Sequence, residues 1–507
     1  MRRLSIPITV FVLMTAAGPA PAAYRDLKQG MDAYTPPAML RQPAASEQDV
    51  IESPDAFDRE KKTIEAARGR WIKAIDRDGL APGGRPISSA LVLAAAYDAR
   101  TVAELQGPFS LQTIQSLVLL RNASIKGATA RLKASLEGFD QVAQLDAMIG
   151  LYSAFTESVM AGVGPMGGSD SIRMKFPFPG VAALKGQVAE KNVEIEAHKL
   201  SLVQRDIVAQ GGKAYWNLLY IHRAIGITRD TLDRMDSLES VATTRYGAGK
   251  TSYQDVVKIR IGRERLGERL DTLKKQRVNL ETELLTLMDL QPGVSLGWPA
   301  TTTPDASVPP LDILYPLALE NRQELNRMRA MVGKMARMVE LAETMIRPTY
   351  SQNFSLYTDE AVLQAGSAGM TPTFSTTVSP VRGKGLPKNA WFGSRDAYLR
   401  ETRRKLEALG AELTDAEART RLAVRNGWFD LDRARRERSL YKDRLINLSL
   451  TSLDVSTRGY ESGKVSFADV IASYTGWLDV NLAGERRNSD VGIARIELAR
   501  RVGAPLP

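Results

Sequence analysis

The residues best spaced for chemistry stand in two short glycine turns. The first turn spans residues 247–251 and reads GAGKT, which ends like a phosphate-binding loop, where backbone amides and a lysine hold phosphate. The first glycine of that motif is missing because Thr244 stands in its place, and no apolar strand precedes the turn. We therefore interpret the turn as the tip of a helical hairpin, where glycine supplies the left-handed conformation that ends a helix.

The same turn recurs later in the chain. Residues 246–257 read YGAGKTSYQDVV and residues 460–471 read YESGKVSFADVI. The second copy has valine after its lysine, which also argues against a nucleotide site. In both copies a serine, Ser252 or Ser466, is placed to cap the following helix.

Two carboxylates and two tyrosines could act at these tips. Asp255 and Asp469 lie in the first turn after each tip, where a helix N-terminus favours negative charge. They could equally place acidic groups at the mouth of a pore, and the sequence alone does not decide between the two. Tyr246 and Tyr460 precede the turns and could simply pack there.

Other catalytic groups are scarce. The chain has 507 residues, no cysteine and two histidines, His198 and His222, which lack a histidine neighbour at metal-ligand spacing. No Ser/His/Asp grouping stands out. We therefore predict no enzyme, no metal site and no cofactor. The net charge of +10 is a mild excess over so long a chain and is weak support for nucleic-acid binding.

The elements that position the tips form two similar halves. In each half the pattern predicts a helix, a non-helical stretch, a long helix, the tip turn and another helix. The predicted helices cover 111–150, 181–246, 312–346 and 394–459, followed by one after each tip. Upstream, Asn122 and Asn321 mark matching positions. An apolar heptad seam follows the first tip, which favours antiparallel coiled-coil pairs; its members are Ile259, Leu266, Leu270, Leu273, Leu280, Leu284 and Leu287, with Arg263 and Arg277 at the skipped positions.

The N-terminus reads as a secretory signal peptide. Arg2 and Arg3 precede an apolar stretch, and Ala20-Pro21-Ala22 suits cleavage after Ala22 or Ala23. No apolar run of about 18 residues occurs later, which excludes a protein with several membrane-spanning helices. The non-helical stretches are loops or β-hairpins; residues 350–356 alternate in polarity and could pair with 374–378.

These features together resemble the TolC-like outer membrane efflux proteins. The resemblance rests on the two tandem halves, the tips 245–250 and 460–464 with the Asp-Val pairs after them, the helix starts 117–122 and 317–322, and residues 176–180. It implies a homotrimer in which each subunit gives four strands, from two β-hairpins, to a twelve-stranded outer membrane β-barrel. Long paired helices would form an α-barrel in the periplasm. Partners would be a periplasmic adaptor, or membrane fusion protein, an inner-membrane transporter and outer membrane lipid, without nucleic acid.

The resemblance also implies roles at the tips. Tyr460 and Asp469 match residues of the entrance gate, and Asp255 matches the aspartate that pairs with the gate tyrosine; to these we add Tyr246. Gly249, Lys250, Gly463 and Lys464 match the region that docks the adaptor. Two departures predict a weaker acidic ring and latch: Ala472 replaces the family's second aspartate, and Val465 replaces its latch arginine.

The expected fold is therefore mainly α with a small β part, built from tandem-repeat long antiparallel helices. The expected function is the channel subunit of a tripartite efflux or type I secretion system, in the outer membrane with most of the chain in the periplasm. A periplasmic coiled-coil scaffold with a reduced barrel is the alternative. The expected organisation is: signal peptide 1–22; partly helical extension 23–107; first repeat 108–290 with hairpin 152–180 and tip 247–250; linker 291–311; second repeat 312–503 with hairpin 348–393 and tip 461–464.

Overall fold

Long helices dominate the part of the chain that the computed structural model describes. That part comprises residues 62–73, 87–139, 171–176, 181–249, 251–346, 350–355, 375–379, 392–462 and 464–507. The predicted signal peptide, residues 140–170 and most of the stretch 348–393 lie outside it. The elements in chain order are α1 (62–73), α2 (Ser89–Ala95), α3 (Asp98–Gln106), α4 (Leu111–Arg121), α5 (123–139), β1 (Ser171–Phe176), α6 (Val181–Gly247), α7 (Tyr253–Leu287), α8 (Leu311–Asn321), α9 (Gln323–Ile346), β2 (Tyr350–Ser355), β3 (Ser375–Ser379), α10 (Phe392–Leu440), a π-helical turn (Tyr441–Leu445), α11 (Ile446–Glu461) and α12 (Phe467–Val502).

The first helix of each half is divided in two, where the sequence predicted one continuous helix. The break falls at Asn122 and at Arg322, whose backbones are extended with ψ of 127° and 120°. The Asn122 side chain accepts a hydrogen bond from the backbone of Ser124 at 2.9 Å and so caps α5. Because α4 and α8 both have 11 residues before the break, Asn122 corresponds to Arg322, and the sequence-based match with Asn321 was one residue off.

The two long helices differ in continuity. Helix α6 runs through 67 residues, about 100 Å at 1.5 Å per residue. The second long helix was predicted as one element over 394–459, but the π-helical turn at Tyr441–Leu445 separates α10 from α11. Such a turn inserts an extra residue into the helix. It lies where Gly484 of α12 comes close, since an added Cβ there would stand 3.1 Å from the Ile446 side chain.

The predicted coiled-coil seam is confirmed. Five of its residues are buried, and the other two pack at the edge of the same clusters; the five are Ile259, Leu266, Leu270, Leu273 and Leu284. Arg263 at a skipped position pairs with Glu239 of α6 at 3.2 Å. Helix α7 therefore packs antiparallel on α6 through apolar residues, with ion pairs along its flank.

Three short strands are described. Strand β2 lies between β1 and β3 and is antiparallel to both, so that Phe354 is opposite Ile172 on one side and Thr376 on the other. Strand β1 thus pairs with a strand of the other half, and its expected partner within 152–180 lies outside the described residues. The four strands per subunit and their barrel stay a prediction. None of the described helices has an apolar segment long enough to span a membrane.

A buried arginine joins the N-terminal extension to the first half. Arg121, at the end of α4, donates to the backbone oxygens of Ala95 at 2.7 Å and Met288 at 2.9 Å, and pairs with Asp98. The Arg121 guanidinium therefore binds a carbonyl oxygen at the end of α2, a carboxylate at the start of α3 and a carbonyl oxygen at the end of α7. An arginine buried to 7% exposure needs such partners, because an unpaired buried charge is costly.

A second buried arginine joins the two halves. Arg205 of α6 binds both carboxylate oxygens of Glu324 of α9, at 2.7 and 2.8 Å. Burial by itself would raise the pKa of Glu324, but the hydrogen bonds and charge of Arg205, with the charge of Arg322, lower the pKa to about 2. The carboxylate is therefore ionised across the ordinary pH range, and the pair ties α6 to α9.

Candidate functional site

The first tip is a tight turn between α6 and α7. Gly249 has a φ of 70°, the left-handed conformation that glycine adopts without strain. Its amide donates to the Tyr246 carbonyl oxygen at 2.9 Å. The exposed rings of Tyr246 and Tyr253 pack against each other at 5.5 Å between centroids. Lys250 lies outside the described residues.

The second tip closes differently. Lys464, which is exposed, donates its amide to the Gly459 carbonyl oxygen at 2.8 Å. Gly459 must lack a side chain, since a Cβ there would stand 2.4 Å from the Val465 methyl. Val465, at the position of the expected latch arginine, therefore packs inside its own tip. Gly463 lies outside the described residues.

Asp469 is held by its own helix cap. Ser466 accepts a hydrogen bond from the Asp469 amide at 3.3 Å, and its hydroxyl donates to the Asp469 carboxylate at 2.6 Å. Ser466 is therefore the N-cap of α12, and its hydroxyl also holds the Asp469 carboxylate. The contacts of Asp469 are therefore local, and the structure does not bring it together with Tyr460.

Arg245 connects the two tips within one chain. Its guanidinium lies 4.6 Å from the centre of the Tyr460 ring and donates to the Tyr460 carbonyl oxygen at 3.3 Å. A cation over an aromatic face is attracted by the ring quadrupole. The Tyr460 hydroxyl lies 3.5 Å from the Thr251 hydroxyl, which donates to Asp255 at 2.7 Å. We call these four residues the tip clasp.

An apolar cluster lies beneath the tip clasp. The buried side chains of Ala242, Val256 and Ile259 from the first hairpin meet Phe467 from the second. The Phe467 ring contacts the Tyr460 ring edge-on, at 4.9 Å between centroids. The clasp is therefore a polar closure over a small hydrophobic contact between the two hairpins.

The seams just behind the two tips are not equivalent. Ala242 and Ile259, which face each other behind the first tip, correspond in the repeat to Ser456 and Ser473. Those serines share a hydrogen bond of 2.8 Å. The second hairpin thus has a polar contact where the first has a buried apolar one. Burial of apolar side chains stabilises a helix pair more than one hydrogen bond between hydroxyl groups does.

The histidines do not form a site. His198 lies 3.9 Å from Glu194, and His222 packs on the Trp298 ring at 3.9 Å between centroids. Burial, followed by the charges of Arg223 and Arg277, lowers the pKa of His222. Within the described ranges, no three His, Asp or Glu side chains converge to hold a metal ion.

The sequence prediction missed two members of the tip clasp. The resemblance implied that Asp255 pairs with Tyr460, but in the structure Thr251 stands between them. Arg245 was noted only as part of a motif, although it replaces Gly459 of the second copy in the repeat. This difference between the two copies was the signal in the sequence. Because the second copy has a glycine at this position, only the first tip can supply a guanidinium to the other.

Comparison with known proteins gives structural matches only. No protein-family model matches the chain, and no curated protein matches it. The outer membrane protein VceC of Vibrio cholerae matches 78% of this chain and 97% of its own, with 12% identity and a TM-score of 0.58. CusC, described as forming a transmembrane channel, matches 78% of this chain and 92% of its own, with 12% identity and a TM-score of 0.61. The outer membrane channel MtrE of Neisseria gonorrhoeae matches 78% and 89%, with 14% identity and a TM-score of 0.57.

The resemblance to TolC-like proteins is thereby confirmed for the fold. The matches cover most of this chain and nearly all of the matched chains. The chain has the long-helix fold of these outer membrane proteins.

Proposed function

We propose that this chain is a subunit of an outer membrane channel that conducts substrates passively to the exterior. The observation that carries the proposal is the pair of long helical hairpins whose tips meet in the tip clasp, in a fold shared with outer membrane channels. Conduction through such a pore needs no catalytic group, and the chain is proposed not to be an enzyme.

The proposed assembly is a homotrimer. The three described strands leave two open edges, and open edges are not tolerated in lipid. Four strands per subunit, with the fourth in a stretch outside the described residues, would give a closed barrel of twelve. The helices also leave apolar side chains uncovered, including Leu422, Leu448 and Val455, each more than 60% exposed. Neighbouring subunits would cover them.

The tips are proposed to form the periplasmic entrance. Tyr460 and Asp255, held in the tip clasp, would act as the gate within each subunit. Asp469 and Tyr246 would line the mouth. The outermost residues would dock a periplasmic adaptor that links the channel to an inner-membrane transporter; these are Gly249, Lys250, Gly463 and Lys464.

The proposed location is the outer membrane, with the helices in the periplasm. The proposed division of the chain suits this location. It comprises the signal peptide 1–22, the repeats 108–290 and 312–503, and the hairpins 152–180 and 348–393. In the extension 23–107, α1 packs on α5 and α6 through Ile64 and Ala67, and Arg121 ties α2 and α3 to the first half.

Fractionation of the cell envelope tests this proposal. The full chain should require detergent for extraction and should run as a trimer that dissociates only on heating. The matched control is the same expression without induction. A species that is soluble in the periplasm without detergent would contradict the channel and would favour the coiled-coil scaffold.

A further inference from the structure

A groove lies between the first hairpin and α12, directly behind the tips. Its volume is about 410 Å³, within the range of small-molecule sites. Its floor is apolar, with Met235, Leu266, Ile471 and Leu478 among the lining side chains. Gly262 opens this space, because it has no side chain where a Cβ would meet the Met235 sulfur at 3.4 Å.

Cationic side chains follow one edge of the groove. Lys258, Arg265 and Arg269 all line it from α7, at spacings of seven and four residues that place them on one helix face. Arg269 pairs with Asp479 of α12 at 3.0 Å and so closes one end. Lys258 and Arg265 make no ion pair or hydrogen bond with any residue that the structure describes.

We propose that this groove binds an amphipathic organic anion. Its aromatic or alkyl part would cover the apolar floor, and its carboxylate or sulfonate would pair with Lys258 and Arg265. Burial of apolar surface and charge-assisted hydrogen bonds favour this ligand together. A cation of the same shape would be repelled, and a neutral one would gain only the apolar contact.

The bound anion would also affect the hairpins. It would contact α7 on one wall and Ile471, Tyr474 or Leu478 of α12 on the other. A ligand that binds only the closed arrangement stabilises it. The site does not depend on the proposed channel function, because it lies within one chain.

Two dyes with the same ring system test the proposal. The anionic probe is 8-anilinonaphthalene-1-sulfonate, and the neutral probe is N-phenyl-1-naphthylamine. Each is titrated into the full chain in a non-ionic amphipol, with tryptophan-sensitised emission as the readout and empty amphipol as the blank. We expect one tight sulfonate site per subunit.

Two variants separate the charge from the floor. Lys258→Gln with Arg265→Gln should weaken the sulfonate at least ten-fold and change the neutral dye less than two-fold. Gly262→Leu should weaken both dyes because it fills the groove. The matched control is Lys275→Gln with Arg435→Gln, which removes the same charge elsewhere and should change neither dye.

Three results would overturn the proposal. The first is no saturable sulfonate site in the wild-type chain, as when a neighbouring subunit covers the groove. The second is an equal loss in the groove variant and in the control, which would mean a general effect of charge. The third is unchanged binding of both dyes in Gly262→Leu with normal helical circular dichroism.

Discussion

Replacing Arg245 by glutamine should loosen the contact between the two tips. Arg245 provides the only cation over the Tyr460 ring among the described residues, at 4.6 Å, and a hydrogen bond of 3.3 Å to its carbonyl oxygen. At a half-exposed site the first contact contributes about 1 kcal/mol. The second is long and contributes about 1 kcal/mol. Their loss should shift the closed-to-open balance of each subunit by about 2 kcal/mol, or roughly 30-fold.

The assay is single-channel recording of the full chain in a planar bilayer. Arg245→Gln should raise the open fraction, whereas Arg245→Lys should have a smaller effect because it keeps the charge. The matched control is Arg260→Gln, which removes the 2.7 Å ion pair to Glu239 within the same hairpin; Arg260 makes no ion pair or hydrogen bond with a described residue of the second hairpin. An open fraction that is the same in Arg245→Gln and Arg260→Gln would refute the reasoning.

Three further predictions follow from single side chains. Tyr460→Phe should change the open fraction little, because the contact of the Tyr460 hydroxyl is 3.5 Å long. Tyr460→Ala should raise the open fraction as much as Arg245→Gln does. Equal open fractions for Tyr460→Phe and Tyr460→Ala in the same recordings would contradict the ring as the main contact. Because the pKa of Glu324 is about 2 in the fold and higher when unfolded, its ion pair stabilises the chain above about pH 4.5, and this stability is lost as the pH falls towards 2. Glu324→Gln should therefore lower the stability at pH 7 by about 1–3 kcal/mol, and the thermal midpoint with it. The loss should be much smaller at pH 2.5, where most of the pH-dependent stability has gone; a constant difference across pH would contradict the pairing. Gly297→Ala places a Cβ 2.3 Å from the Gly107 carbonyl oxygen and should cost about 1–3 kcal/mol, measured by thermal circular dichroism, whereas Gly138→Ala, with nothing within 4 Å, should not destabilise; equal midpoints would refute the clash.

Much of the helical fold could be predicted from the sequence. The seam from Ile259 to Leu284 repeats at heptad spacing, and such spacing directly indicates which face of a helix is buried. The tips could be placed because glycine and a following serine mark the end of one helix and the start of the next.

The breaks within helices could not be predicted from the same patterns. Asn122 and Arg322 sit in continuous apolar periodicity, and at the breaks their side chains bind Leu287 and Thr420 of other helices, contacts that periodicity does not show. The π-helical turn at 441–445 lies against α12 at Gly484, a contact between distant parts of the chain. Periodicity reports the buried face of a helix and not its local winding.

The tip clasp was only partly predictable for a related reason. A repeat predicts what the two halves share, but the clasp uses what they do not share. Arg245 and Thr251 of the first half correspond to Gly459 and Val465 of the second. Their contacts with Tyr460 form because the two hairpins lie against each other. The sequence pattern of either half does not show which residues meet there.

This chain is proposed to form a channel. The most direct test is the conductance of the mature full chain in a planar bilayer, with the oligomeric mass measured on the same detergent-purified sample. We expect a trimer with discrete, cation-preferring conductance steps. A well-folded helical protein that neither assembles as a trimer nor conducts would contradict it.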